Sequence, residues 1–312
     1  MKGSQLEWTT LIFGESCEAR QMARELTAKG LPVIMAGPPQ SNPSAATDDG
    51  ADGLGGGVER IELGGAFVCS GSAGQFQLIV PGHPESIERS VGTIILADEA
   101  RRKSNAARYG ISASKQVLTL SQLASALEGN AEESAPFSVG QKVVLVTGIA
   151  LEGHPLMAEQ AMRCALRLQR DHGVQSYLLT GNLKVGAEGL EALYRHAKAA
   201  GVVFMKFTTT RPAFAKLETG GFRVTFDDEV LHELCTLDAD WLAVDERVTP
   251  SAFTARLAEK FAIDIGPDRF AQSDNVHRAT VLTNRNGIFV AGGSRAILND
   301  TDRRIDAQDA VL

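Results

Sequence analysis

The chain is poor in the residues that staple, ligate or span. Four cysteines, Cys17, Cys69, Cys164 and Cys235, stand far apart in 312 residues. None forms a C-x-x-C pair, which excludes a zinc ribbon and a self-contained iron–sulfur cluster. A chain of this size needs no disulfide framework, so the thiols are expected to be reduced and structural. Six histidines include no H-x-x-x-H pair, and no metal site is assigned to this chain. Long apolar runs are missing too. The cleanest, 143–151, is far short of a membrane span, and the first seven residues lack the apolar core of a leader. The expectation is a cytoplasmic protein. Positive charge is in deficit, with 31 Lys and Arg against 38 Asp and Glu and a net charge of −7. That argues against nucleic acid as a partner, because phosphate binding needs clustered Lys and Arg.

What is present is the alternation of an α/β protein. The apolar run 10–13 ends at Gly14, and apolar residues at 19, 22, 23 and 26 predict a helix over 18–28. A second buried run, 33–36, completes the opening of a βαβ unit. Residues 37–57, with Pro38, Pro39, Pro43 and a closing glycine triplet, cannot build a core and predict a loop or a disordered excursion. Three short runs, 58–63, 66–70 and 75–80, predict a small antiparallel β-meander. Further segments are a strand over 91–97 and a helix over 118–127. A second βαβ unit opens at Gln141, with strands at 142–146, 174–179 and 202–207 and helices at 155–170 and 187–200. A hairpin over 222–237, a strand at 240–244 and a last strand at 286–290 follow.

Catalytic motifs are absent. Gly110-Ile111-Ser112-Ala113-Ser114 fails the G-x-S-x-G pattern at its last position, and no G-x-x-x-x-G-K-[ST] loop occurs. Asp227-Asp228-Glu229 has the composition of a turn. Arg163, Arg167 and Arg170 form a basic stripe at helical spacing, either a solvated face or a docking patch for an acidic partner. No catalytic residue is assigned. The segment order is that of two nested Rossmann-like dinucleotide-binding domains with a small β-meander. Residues 1–140 with 265–312 form an FAD-binding-type domain carrying the loop 37–57, and residues 141–264 an inserted NAD-binding-like domain.

Several stretches in this order resemble the A subunits of heterodisulfide reductases and the wider two-dinucleotide-binding-domain flavoproteins. They are HPLMAEQAMRCALRLQRDHGVQSYLLTGNLKVGAEGLEALYRHAKAAGVVFMKF in the second unit, then LDADWLAVDERVTPS and NGIFVAGGSRAILND. In the first unit, TLIFGESCEARQMARELTAKGLPVIMAG is placed like the flavin fingerprint and GTIILADEA like the family's IIVATGA strand. The resemblance covers nearly the whole chain outside 37–57.

It implies an oxidoreductase complex with iron–sulfur and flavin redox subunits as partners. It also implies FAD contacts at Gly14, Ser16, Ala19, Gly292 and Gly293 if the cofactor is retained. The departures from the family pattern argue that the FAD site is lost or weakened. Where G-x-G-x-x-G should bind pyrophosphate, the chain reads Gly14-Glu15-Ser16-Cys17-Glu18-Ala19. The two glutamates can stabilise the helix N-terminus themselves. Gly37 replaces the ribose-binding acid, both ATG-type turns become Asp-Glu, and the closing motif lacks its acid. The family's cysteine run near the 155–163 helix is reduced to Cys164, so no iron–sulfur cluster is expected in this chain. Two readings remain: a non-catalytic structural and docking component of the complex, and an active electron-transfer component containing FAD. A stand-alone nicotinamide enzyme is disfavoured because the glycines of 147–153 are too widely spaced.

Overall fold

The structure, a computed structural model, describes residues 6–39, 57–82, 85–128, 136–149, 152–218, 220–275, 277 and 280–312. Most of the predicted loop 37–57 lies outside them. The elements of the first part are β1 (Thr10–Phe13), α1 (Cys17–Ala28), β2 (Val33–Gly37), β3 (Val58–Glu62), β4 (Val68–Ser72), β5 (Gln75–Val80), β6 (Ile87–Val91) and β7 (Thr93–Leu96). Then come β8 (Arg101–Ser104), β9 (Val117–Thr119), α2 (Leu120–Glu128), β10 (Lys142–Thr147), α3 (Pro155–Asp171), β11 (Gln175–Thr180), α4 (Leu190–Ala199) and β12 (Val203–Lys206). The rest are β13 (Ala213–Lys216), β14 (Phe222–Asp228), β15 (Glu233–Ala239), β16 (Trp241–Val244), β17 (Glu246–Thr249), α5 (Ala252–Phe261), β18 (Ile288–Val290) and α6 (Asp300–Ala310).

Two compact units result, one from residues 1–101 and 248–312, the other from 102–247. The expected limits at 140 and 265 differ from these for packing reasons. β9 is an edge strand of the second sheet, and α5 buries Phe253, Leu257 and Phe261 in the core of the first unit.

The first unit is a parallel sheet in the order β18-β7-β1-β2-β3. Strand alternation divides its side chains between two cores. Leu11 and Phe13 face the meander and α5, while Ile12 faces Met22, Ala23 and Leu26 of α1 and Ala307 of α6. The meander is β4-β5-β6, antiparallel. The run at 58–63, expected in the meander, instead pairs with β2 as a parallel edge strand, with Ile61 and Leu63 in the core. The expected strand 91–97 is split at Gly92. A Cβ there would lie 1.9 Å from the Glu7 carbonyl oxygen, and the chain leaves the meander for the sheet at this point.

The second unit repeats the plan, with sheet order β12-β11-β10-β16-β9 and a separate antiparallel sheet β13-β14-β15. Val144, Val146, Leu179 and Leu242 pack against Phe222, Val224 and Phe226 of that second layer. α3 buries Met157, Ala161, Met162, Cys164, Ala165 and Leu168 and packs on β10 and β11. The helix expected from 118 begins at Leu120 because Val117–Thr119 pairs with β16. Asp228 makes the turn of the hairpin, its carboxylate accepting from the Val230 and Leu231 N–H groups.

Candidate functional site

In an open parallel sheet, ligands bind outside the carboxyl ends of the strands where the strand order reverses. In the first unit that place lies between β1 and β7, and all five expected contact residues converge there. Gly14 follows β1 with φ of +122°, and a Cβ would lie 2.4 Å from the Ala97 carbonyl oxygen after β7. Only glycine fits so close to that backbone. Ser16 caps α1, its hydroxyl accepting from the Ala19 N–H at 3.1 Å. Ala19 is fully buried against the sheet. Gly292 and Gly293 open a short 3-10 turn after β18. A Cβ on Gly293 would meet the Ala100 nitrogen at 2.7 Å, and one on Gly292 would meet the Glu18 side chain at 3.2 Å.

Carboxylates and arginines from the same unit fill this junction. Glu18, second residue of α1, is only 6% exposed. One of its oxygens faces Arg303 Nη1 of α6 at 3.4 Å, and the other has no hydrogen-bond partner among the described residues. Arg303 also donates to Glu99 at 3.0 Å. Burial works to lower the Arg303 pKa, but the Glu99 and Glu18 charges outweigh it and hold the value above normal. Asp306, one turn further along α6, accepts from the Gly292 N–H at 3.0 Å and takes both donors of Arg295 at 2.8 Å. α6 thus lays an Arg and an Asp over the N-terminus of α1 and the closing turn.

Beside this lies a buried hydroxyl network. The Asp98 N–H donates to Ser294 Oγ at 2.8 Å, Ser294 and Thr254 hydroxyls are 3.0 Å apart, and Ser251 donates to the Asp98 carboxylate. Burial pushes the Asp98 pKa up, the Ser251 hydrogen bond opposes it, and the nearby Glu15 charge adds to the rise. The roles of Arg303, Asp306, Ser251 and Thr254 were not read from the sequence. Only the three-residue spacing of Arg303 and Asp306, which puts both on one helix face, hinted at a joint role.

The cysteines lie apart. Cys164 is buried in α3 with its thiol pushed up to about 12, and burial likewise raises Cys69 to about 11. Among the described residues no group of three or more His, Cys, Asp and Glu side chains is arranged to hold a metal ion. Two arginines of the basic stripe have acidic partners one turn away on the same helix, Arg163 with Glu159 and Arg167 with Asp171. No helix among the described residues is long and apolar enough to cross a membrane.

The sequence is similar to the iron-sulfur A subunit of CoB--CoM heterodisulfide reductase from Methanocaldococcus jannaschii, 28% identical over 126 residues. It is also similar to the A subunit of the H(2)/formate:CoB-CoM heterodisulfide,ferredoxin reductase of Methanococcus maripaludis, 28% identical over 129 residues. These matches cover 40% and 41% of this chain and 19% of each relative's length. No family model matches the chain. Among solved structures, thioredoxin reductase of Lactococcus lactis superposes with a TM-score of 0.58 at 15% identity, covering 98% of this chain and 97% of that one. Thioredoxin reductase of T. acidophilum gives 0.58 at 12% identity, covering 98% and 96%. The flavoprotein disulfide reductase RclA of Escherichia coli gives 0.53 at 11% identity, covering 98% of this chain and 70% of that one. The fold is therefore that of the two-dinucleotide-binding-domain reductases.

Proposed function

We propose that the chain is a component of a cytoplasmic, multi-subunit electron-transfer complex, similar to the A subunits of heterodisulfide reductases, and that it serves there in docking without a flavin of its own. The Glu18–Arg303 pair carries this reading. A flavin dinucleotide sets its pyrophosphate at the N-terminus of the first helix, where backbone N–H groups and the helix dipole attract an anion. Here that end already holds a buried carboxylate, tied to an arginine of the same unit. A second anion would face Glu18 in a poorly screened setting, where like charges repel strongly.

The other contacts are spent in the same way. Asp306 occupies the Gly292 N–H, Ser16 caps its own helix, and Gly37 at the end of β2 offers no acid to a ribose. The residues present do not fit FAD. Retention of the tight Gly14 turn and the small Ala19 favours descent from a flavin-binding domain, since both serve close backbone packing whether or not a ligand is present. Similarity to the A subunits of heterodisulfide reductases supports redox partners carrying iron–sulfur or flavin centres.

An absorbance spectrum of the protein purified from its native source tests the cofactor part. The expected spectrum has no flavin bands. Near-stoichiometric flavin would overturn it in favour of an active electron-transfer component containing FAD, with Gly14, Ser16, Ala19, Gly292 and Gly293 as its contacts.

A further inference from the structure

We infer that the second unit does not take a nicotinamide dinucleotide, because Asp245 bridges the carboxyl ends of the two strands between which the ligand would lie and the first turn of α3 has no donor to spare. In this sheet the strand order reverses between β10 and β16, so a dinucleotide would enter the crevice at their carboxyl ends. Gly148 follows β10 with φ of +74°, and Asp245 follows β16. The Gly148 N–H donates to Asp245 Oδ2 at 2.8 Å, so a carboxylate bridges the mouth of the crevice. Its other oxygen accepts from Asn105 Nδ2 at 2.9 Å and from the Tyr109 hydroxyl at 2.5 Å. Asp245 is 4% exposed and has three neutral donors around it. A buried carboxylate held by donors of this kind does the electrostatic work of a bound anion.

The helix that should cradle the phosphate is closed separately. An α-helix offers an anion its first N–H groups. In α3 the first residue is Pro155, which has no N–H. The Leu156 N–H is taken by His154 Nδ1 at 3.2 Å, and the Met157 and Ala158 N–H groups by the His154 carbonyl at 2.9 and 3.1 Å. No donor of this first turn is left for a ligand. The described residues at this crevice therefore do not fit NADH or NADPH. This goes beyond the docking reading and does not depend on which partner the chain meets or on the flavin spectrum.

Two measurements on the full chain test it. Calorimetric titration with NADH and with NADPH should give no saturable binding, and one-to-one binding of either would overturn the inference. Asp245→Ala should lower the melting temperature, and sodium formate or inorganic phosphate should restore part of the loss saturably while sodium chloride does not. A variant as stable as the parent, or one that neither anion rescues, would equally overturn it. If Asp245→Ala does not fold, Asp245→Asn removes the charge at constant shape, sets an amide N–H₂ against the surrounding donors, and should lower the melting temperature. An Asp245→Asn variant as stable as the parent counts against the inference.

Discussion

At the scale of single residues, Glu18 departs most from its expected role. The sequence reads Glu15 and Glu18 as helix-terminal charges that complement the helix dipole, each contributing about 0.3–1 kcal/mol. Burial changes the magnitude for Glu18. Its charge-paired partner among the described residues is Arg303, whereas Arg303 also has Glu99. The two halves of the pair are therefore unequal. Arg303→Met strands a buried carboxylate and should cost about 3–5 kcal/mol. Glu18→Gln leaves Arg303 with Glu99 and should cost about 1–3 kcal/mol. Urea unfolding of both variants checks the order, and equal or reversed losses would contradict the pairing.

Asp98 gives a pH prediction at the same scale. Its folded pKa is raised by burial and by the Glu15 charge, so the folded state keeps a proton that the unfolded chain loses near the ordinary value of about 3.9. The contribution to stability is complete below that unfolded value and is lost as the pH rises through the raised folded value. Asp98→Asn should gain on the parent protein as the pH is raised from about 4 to neutrality. Unfolding midpoints measured across that range would show parallel profiles if the burial had no effect.

At the scale of elements, the chain's alternation is readable wherever one strand or helix buries one kind of face. β1, α1 and β2 lie within a residue of their expected limits because a four-residue apolar strand and a helix stripe at 19, 22, 23 and 26 have no competing solution. β3 is different. Its pattern fits a meander strand as well as an edge strand, and pairing with β2 decides between them. Gly92 decides another boundary, because no periodicity reports the carbonyl that crowds it. Gly92→Ala should destabilise the chain by about 1–3 kcal/mol through overpacking. Gly65→Ala, where an added Cβ meets nothing within 4 Å, should change stability by less than about 0.5 kcal/mol. Thermal melts of the pair separate a crowded backbone from a general cost of replacing glycine.

At the scale of the whole molecule, each of two Rossmann-like units has an aspartate that accepts from a glycine N–H just past a strand of its parallel sheet. Asp306 holds the Gly292 N–H in one, and Asp245 holds the Gly148 N–H in the other. Both glycines have positive φ and sit just past a strand of the parallel sheet. On the proposed reading, the fold is kept for its surfaces. The chain purified from its native source should accompany at least one larger iron–sulfur redox protein, and by itself it should show no oxidoreductase activity. Recovery only as a free monomer that reduces an acceptor would sink the docking reading.

Local pattern was enough to establish the α/β class and the two βαβ openings, because strand and helix periodicities are short-range properties, whereas Gly14, Ser16, Ala19, Gly292 and Gly293 were pointed to by the family resemblance. The fixed spacing of a phosphate loop also marked Ser16 as a substituted glycine and Glu15 and Glu18 as its charged neighbours, and the family resemblance marked Gly37 where an acid would bind the ribose. What those substitutions do emerges only in the folded chain. Arg303 and Glu18 are 285 positions apart in the sequence, and Asp245 and Gly148 are 97 apart. A charge pair or a carboxylate cap over such separations leaves no trace in local periodicity. It comes into being only when the sheet brings the carboxyl ends of neighbouring strands together.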